Sequence, residues 1–443
     1  MTLKNINLSE KNTNSSEQKL LDYLFSLNRR DIKPGLERIN TLLEFLGNPQ
    51  NSYPTIHIAG TNGKGSVAAF IASILMESNL DVGLYTSPHI FKFGERIKVN
   101  NKMIDYATLA EIYEMIKDKA VEISATFFEI TTAVAFYYFK DKVDIAVVET
   151  GMGGRFDATN VLQPLVSVIT KIGKDHFDYL GKSLQDIAKE KAGIIKSNIP
   201  VVSANNQKDV NDILASKAYE VGTEIYILNN EIKNENIFYT NDMNMEVFVE
   251  IDGEKVKLIS PLIGEQQVEN INIAIKAIQL LKDKYKITNE AIVSGVKNVV
   301  NNTLLHFRIE LIDDKLPIII DVAHNEDALK VLVSTIKQAT SIEKWDIVFG
   351  AMKDKDTKSM LSAISPICKN LIIMQPTTGR AEEAEQLVNL ASNLEFENII
   401  NAETAEVAAQ IIKQNANPTI ICGSFYTANE MFEALYTKQT SDE

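Results

Sequence analysis

The run Gly60-Thr61-Asn62-Gly63-Lys64-Gly65-Ser66 carries the clearest chemistry in the chain. It follows the apolar stretch Ile56-His57-Ile58-Ala59 directly and opens into apolar helical sequence. Strand, glycine loop and helix in that order form a phosphate cradle. Glycines let backbone N–H groups converge on an anion, and the helix N-terminus adds partial positive charge. Lys64 is placed to pair with β- and γ-phosphates, and the Ser66 hydroxyl to ligate Mg²⁺. The spacing departs from G-x-x-x-x-G-K-[ST], which would put its first Gly at Ile58 and its Ser or Thr at Gly65. The competing reading is a glycine-rich turn without a ligand.

Acids and histidines recur where apolar strands end. Glu149 closes Ile145–Val148, the end at which open α/β sheets bind ligands, and could hold Mg²⁺ directly or through water. Asp175-His176 follows the strand Val166–Ile169, and a neutral imidazole can ligate a divalent ion. Taken alone, Glu149 reads as a cap or ion-pair partner and His176 as a loop histidine. Lys191 stands beside Ala192 and Gly193, which allow close approach, whereas Lys196 reads as part of a solvated face. In the second half, Asp321, His324 and Asn325 end another apolar strand. Asp321 could bind a ribose hydroxyl or a phosphate-linked water, and His324 and Asn325 could face the cleft; Asn325 or Asp321 as a simple helix cap is the alternative. Lys353 to Asp356 and Gly423-Ser424 end neighbouring strands, suggesting one wall of a cleft.

These groups need a scaffold, and the periodicity describes one. Helical patterns cover Glu17–Leu27 and Leu36–Leu46. From Thr55 strands and helices alternate, which implies a mostly parallel sheet with helices on both faces. Short strand-like runs at Ile225–Leu228, Ile237–Tyr239, Met245–Ile251 and Val256–Ile259 read as a small antiparallel patch. A helix is expected over Glu269–Lys282. A second, Rossmann-like α/β unit is expected from its strands Pro317–Ile320, Asp346–Phe349, Leu371–Met374 and Thr419–Cys422. The division expected is 1–300, a linker 301–310, and 311–443.

Composition bounds the rest. Among 443 residues, 45 basic and 59 acidic side chains give a formal charge of −14, which argues against broad nucleic-acid or anionic-membrane binding. Two cysteines, without C-x-x-C, exclude a disulfide scaffold and a cysteine-ligated zinc site. No apolar stretch is long enough to span a bilayer and no secretory h-region stands at the N-terminus, so a cytoplasmic protein is expected.

The run His57–Ser66 resembles the phosphate loop of folylpolyglutamate synthase/dihydrofolate synthase, a branch of the Mur ligase superfamily. The resemblance extends through Gly47-Asn48-Pro49-Gln50, Thr86-Ser87-Pro88-His89 with Phe93-Gly94-Glu95-Arg96-Ile97, Phe127-Phe128-Glu129 and Glu149 to Asn160. It continues in Asp175-His176, Glu190 to Ile194, Asp321 with Ala323-His324-Asn325, Lys355-Asp356 and Gly423-Ser424. It implies a P-loop-type N-terminal unit, a C-terminal ligase unit and an ATP-dependent amide ligase. ATP phosphorylates a carboxylate of dihydropteroate or a folate; the amine of L-glutamate attacks the acyl phosphate. Carried over, Thr61, Asn62, Gly63, Lys64, Gly65, Ser66, Arg308 and Asp321 contact ATP. Ser66, Glu149 and His176 surround Mg²⁺, a second ion such as K⁺ being admitted, and Lys191 is expected as a carbamate. Ser87, Thr126, Phe128, Arg155 and Asp157 would line the folate pocket, and His324 and Ser424 the glutamate site. Lys64, Lys191, His176 and His324 are the expected catalytic set, and a monomer acting on small molecules is implied. Alternatives are another Mur-type amino-acid ligase, or an ATP-binding protein that has lost its chemistry.

Three departures from the family pattern stand out. His306-Phe307 precede Arg308 where Pro-Gly is usual, Val322 replaces a glycine, and Gln266 replaces a histidine. Val322 does not readily take φ > 0, so a different turn is expected there.

Overall fold

Branched apolar residues set the two main sheets. The computed structural model describes residues 15–27, 34–173, 181, 183–228 and 237–436. The first sheet is built from β1 (Thr55–Ala59), β2 (Val82–Tyr85), β3 (Ile97–Val99), β4 (Lys102–Met103), β5 (Ile145–Glu149), β6 (Val166–Ile169), β7 (Val201–Ser203) and β8 (Ile225–Ile227). Its order is β4-β3-β2-β5-β1-β6-β7-β8. Only the β2–β3 and β3–β4 pairings are antiparallel. Strands β1, β2, β5 and β6 are buried along their whole length, as expected for a parallel sheet covered on both faces. Ile56, Ile58 and Val147 pack on one side, and Ala146 and Val148 on the other.

A smaller antiparallel sheet of β9 (Ile237–Tyr239), β10 (Met245–Ile251) and β11 (Glu254–Ser260) follows. Here the expectation needs correcting: Ile225–Ile227 is not part of this patch. The helix Lys208–Val221 carries the chain across the first sheet, so β8 returns parallel to β7. The next helix begins at Glu265, earlier than expected, because Gly264 at φ +108° turns the chain there, and it ends at Gln279.

The last sheet comprises β12 (Glu310–Asp313), β13 (Ile318–Ile320), β14 (Trp345–Phe349), β15 (Cys368–Met374), β16 (Asn398–Glu403) and β17 (Thr419–Cys422). Its order is β12-β13-β17-β14-β15-β16, with only β12 antiparallel. The apolar core is continuous from the first sheet into this one through Leu329, Leu332 and Ile336 of the helix Glu326–Ala339. The carboxyl ends of β1, β5 and β6 and those of β13, β14 and β17 therefore face a common cleft.

The altered linker has its own geometry. Phe307 and Ile309 take φ +59° and +55°, flanking Arg308, whereas Val322 is not among the positive-φ residues. The departure expected at Val322 is thus located at Phe307, which holds a backbone shape normally left to glycine. Packing compensates: the Phe307 ring is fully buried, 5.2 Å from the Phe91 ring and 5.4 Å from that of Phe432.

Candidate active site

A cleft of about 2510 Å³ lies between the first and last sheets. Its floor is the loop after β1. Gly60 and Gly63 take φ +155° and +89°, and a Cβ on Gly63 would lie 2.4 Å from Asn270 Oδ1. A Cβ on Gly65 would meet nothing closer than Glu149 Oε2 at 3.8 Å and Arg308 Nη2 at 3.9 Å. The loop thus keeps open space between a carboxylate and a guanidinium. The helix Lys64–Glu77 starts there, so its unpaired N–H groups face that space. Lys64 Nζ donates to Thr61 O at 3.1 Å and lies 3.9 Å from Glu149 Oε1.

Glu149 is enclosed at the end of β5, where Ser87 N donates to its Oε2 at 3.2 Å. Burial raises its pKa above the usual carboxylate value, against Lys64, the Ser87 amide, Arg308 and Arg96. Ser66 Oγ lies 3.4 Å from Gln267 Nε2. Ser66 and Glu149 are hard oxygen donors beside the cradle, a set that suits Mg²⁺ completed by waters and phosphate. His176 lies outside the described residues. Among the described residues no cluster of three His, Cys, Asp or Glu could hold a metal by itself.

Arg308 reaches this floor from the linker. Asp321 accepts from Ile309 N at 2.8 Å and Ala323 N at 2.7 Å, which fixes the end of the linker against the turn after β13. Burial raises the Asp321 pKa and lowers that of Arg308, and each charge opposes the shift of the other. Asn325 both caps its helix through Ala328 N at 2.9 Å and donates to Asn62 Oδ1 at 3.1 Å. Asn325 is thus a cap; it is buried and does not line the cleft itself, but it braces Asn62, which does. The His324 ring lies 5.6 Å from that of Phe425, tilted by 49°, next to Ser424, whose Oγ bonds Thr427 Oγ1 at 2.8 Å.

The opposite end is aromatic. Gly151 admits the Phe128 ring, since a Cβ there would lie 2.4 Å from Phe128 Cζ. Thr126 lines the cleft but its side chain closes a capping box with Glu129, which also takes a two-point ion pair from Arg38. Asp157 lines the cleft with its carboxylate tied to Thr159 and Met152 N. Arg155 does not reach the cleft wall: it is exposed, 4.9 Å over the Phe156 ring, its backbone held by Glu190 O. Lys196 is half-buried rather than solvated, and its Nζ donates to Asn160 O at 2.8 Å.

Residues 58–278 match the Mur ligase middle domain, and residues 307–425 match the Mur ligase, glutamate ligase domain. The chain belongs to the Mur ligase family. Within that family, a dihydrofolate synthase/folylpolyglutamate synthase of Bacillus subtilis is 34% identical over 419 residues, spanning 91% of this chain and 95% of the relative. A Mycobacterium tuberculosis folylpolyglutamate synthase complexed with ADP superposes with a TM-score of 0.85 at 29% identity, covering 94% of this chain and 97% of that one. A complex of a folylpolyglutamate synthase with AMPPCP and folate gives 0.78 at 31% identity, covering 94% and 98%.

In this Mur ligase the cleft also contains residues given no role from sequence. Arg96 is buried, its Nε donates to His89 Nδ1 at 2.8 Å, and its guanidinium lies 5.3 Å over the Phe127 ring. No ion pair to a carboxylate is formed by it among the described residues, and burial lowers its pKa against Tyr85, Tyr426, Glu149 and Glu95, so it brings a positive charge to the cleft that Glu149 and Glu95 offset only from a distance. The segment Glu95-Arg96-Ile97 was the only signal, since burial is invisible in composition.

One buried group makes stability depend on pH. Burial, aided by Lys196, lowers the His57 pKa from 6.5 to about 3. The folded chain holds it neutral, while the unfolded chain takes a proton below pH 6.5. Its contribution is therefore complete above pH 6.5 and is lost as pH falls toward about 3. Expected from urea unfolding, His57→Gln loses stability on acidification less steeply than the parent chain, by about 1.4 kcal/mol per pH unit. Equal slopes would contradict the neutral His57.

Proposed function

We propose that this Mur ligase joins L-glutamate to dihydropteroate, to folates such as tetrahydrofolate, or to both, at the expense of ATP. The observation that carries this reading is the cleft itself: the glycine loop with Lys64 and Glu149 lines it from the first unit, and Arg308, Asp321, His324 and Ser424 line it from the linker and the second unit. Thr61, Asn62, Gly63, Lys64, Gly65 and Ser66 cradle the triphosphate. Arg308 and Asp321 hold the nucleotide from the second wall. Ser66 and Glu149 would hold Mg²⁺, joined by His176 on the resemblance, and a bound Mg²⁺ supplies charge neutralisation at the phosphates.

The substrate carboxylate oxygen attacks the γ-phosphorus, and the bond to the ADP oxygen breaks. The glutamate nitrogen then attacks the acyl carbon, phosphate leaves, and the amine gives up a proton. Lys64 lies where charge accumulates on the transferring group. His324 and Ser424 are assigned to the incoming glutamate. Ser87, Thr126, Phe128, Arg155 and Asp157 are assigned to the folate side, with Arg155 acting from the rim. We read 1–300, 301–310 and 311–443 as nucleotide and folate unit, linker and glutamate unit of a cytoplasmic monomer. The acidic balance of the chain supports small-molecule substrates over nucleic acid or membrane.

Lys191 is assigned as a carbamate: its amine adds to CO₂, loses a proton and becomes an anion. What supports this is its place: it is buried, and its Nζ lies 2.6 Å from Gly60 O at the start of the phosphate loop. Lys191→Ala is expected to lose about 10- to 100-fold in turnover, with part restored by formate or acetate. Bicarbonate labelled with ¹³C should give a carbamate signal absent from the variant. Full activity of Lys191→Ala without added carboxylate sinks the assignment.

The whole proposal is tested by phosphate release that requires both ATP and L-glutamate. Measured with 7,8-dihydropteroate and, separately, tetrahydrofolate, it names the reaction or reactions performed. Silence with both substrates from a chain that binds ATP would overturn it.

A further inference from the structure

Behind the folate end of the cleft, two buried residues with no part in the proposed function, His57 and Thr159, form a polar chain that ends on Asp157. His57 projects from β1 and is fully buried; its Nε2 lies 2.8 Å from Thr159 Oγ1. Thr159, also fully buried, donates from Oγ1 to Asp157 Oδ1 at 2.5 Å and from its backbone N to the same oxygen at 3.0 Å. Met152 N donates to Asp157 Oδ2 at 2.9 Å. His57 Nδ1 has no hydrogen-bond partner.

A hydroxyl has one proton, so the chain has a direction. With Asp157 ionised, Thr159 gives its proton to the carboxylate and accepts from His57 Nε2–H. Nδ1 is then a bare lone pair. The opposite direction requires a proton on Asp157 and leaves a buried Nδ1–H with no acceptor, the rarer kind of orphan. Burial raises the Asp157 pKa, and the Thr159 hydroxyl with the amides of Met152, Thr159 and Gly151 works against that shift and holds the carboxylate from behind and beside as an acceptor.

We propose that His57 and Thr159 are positioning residues that hold Asp157 as an acceptor-only carboxylate toward the nitrogen heterocycle of the acceptor substrate, and so select substrates presenting N–H donors there. This rests on the placement of Asp157 in the folate pocket under the proposed function. The neighbours suit a flat heterocycle: the Phe128 ring lies against Gly151, and Phe156, 45% exposed, faces the same end of the cleft. Asp157 fixed in orientation and charge rejects a ring nitrogen that carries only a lone pair.

Two measurements test the relay. Long-range ¹H–¹⁵N spectra of the full chain labelled in its five histidines, with His57→Gln for assignment, should show His57 neutral and protonated at Nε2. Protonation at Nδ1 would overturn the proposal, since Thr159 would then donate to His57 instead of Asp157. Thr159→Val should raise KM for 7,8-dihydropteroate about tenfold, the loss of one charge-assisted hydrogen bond, with KM for ATP unchanged and Thr159→Ser restoring the parent value. A thermal melt confirms that Thr159→Val is folded, and the spectra stand even if it is not. An unchanged KM in Thr159→Val beside a raised KM in Asp157→Asn would overturn the relay alone. An unmoved KM in Asp157→Asn as well would overturn the placement of Asp157 on which it depends.

Discussion

Lys64→Ala is expected to lower ATP- and glutamate-dependent turnover about 10³-fold, the scale seen when a preorganised charge is removed from a transferring group. The reason is local. Lys64 Nζ is held over the loop by Thr61 O at 3.1 Å and stands 3.9 Å from Glu149 Oε1, at the N-terminus of the helix that the loop opens. Positioning and charge carry phosphoryl transfer almost alone, so no other group in the cleft replaces the ammonium. Lys64→Arg should recover little, because a planar fork does not occupy the site of a compact point charge. The check is initial-rate phosphate release at saturating substrates, with a melt to show that the fold persists. Turnover within about tenfold of the parent chain would remove Lys64 from the proposed role.

The second large effect is expected at Phe307. Phe307→Ala should cost about 3–5 kcal/mol, the usual loss for an aromatic ring removed from a core. That ring is fully buried and joins Phe91 of the first unit to Phe432 of the last. Phe307→Gly should cost less than Phe307→Ala, by about 1 kcal/mol, although glycine is ordinarily the less stable of the two. The inversion follows from φ +59°, where alanine keeps the left-handed penalty that glycine lacks. Midpoints of urea unfolding for the three chains decide it. Glycine below alanine would mean that the linker does not hold this conformation. Both variants should also lower turnover, since Arg308 is presented to the phosphate loop by this turn.

The chemistry that depends on contiguous residues was legible in the sequence. A strand, a glycine loop and a helix in succession specify the cradle, because Gly60 to Ser66 are covalent neighbours and their backbone does the work. The two α/β units were legible for the same reason, since periodicity reports which faces are buried. The branch of the family was written in short segments such as Thr86-Ser87-Pro88-His89 and Glu95-Arg96-Ile97. What the sequence could not order was the meeting of distant parts. Ile225–Ile227 looks like its strand neighbours and joins the other sheet, because the preceding helix, not its own composition, decides its partner. Thr126 and Arg155 match the folate pattern, yet one is occupied as a helix cap and the other turned to the rim. Arg96 gains its meaning only from burial in the cleft, and Phe307 only from a backbone angle. The relay from His57 through Thr159 to Asp157 spans a hundred residues of sequence and a few ångströms of space. Local chemistry is set by covalent neighbours; charge, tautomer and strain are set by whatever the tertiary structure brings alongside, because each depends on the distance to groups the chain folds back to meet.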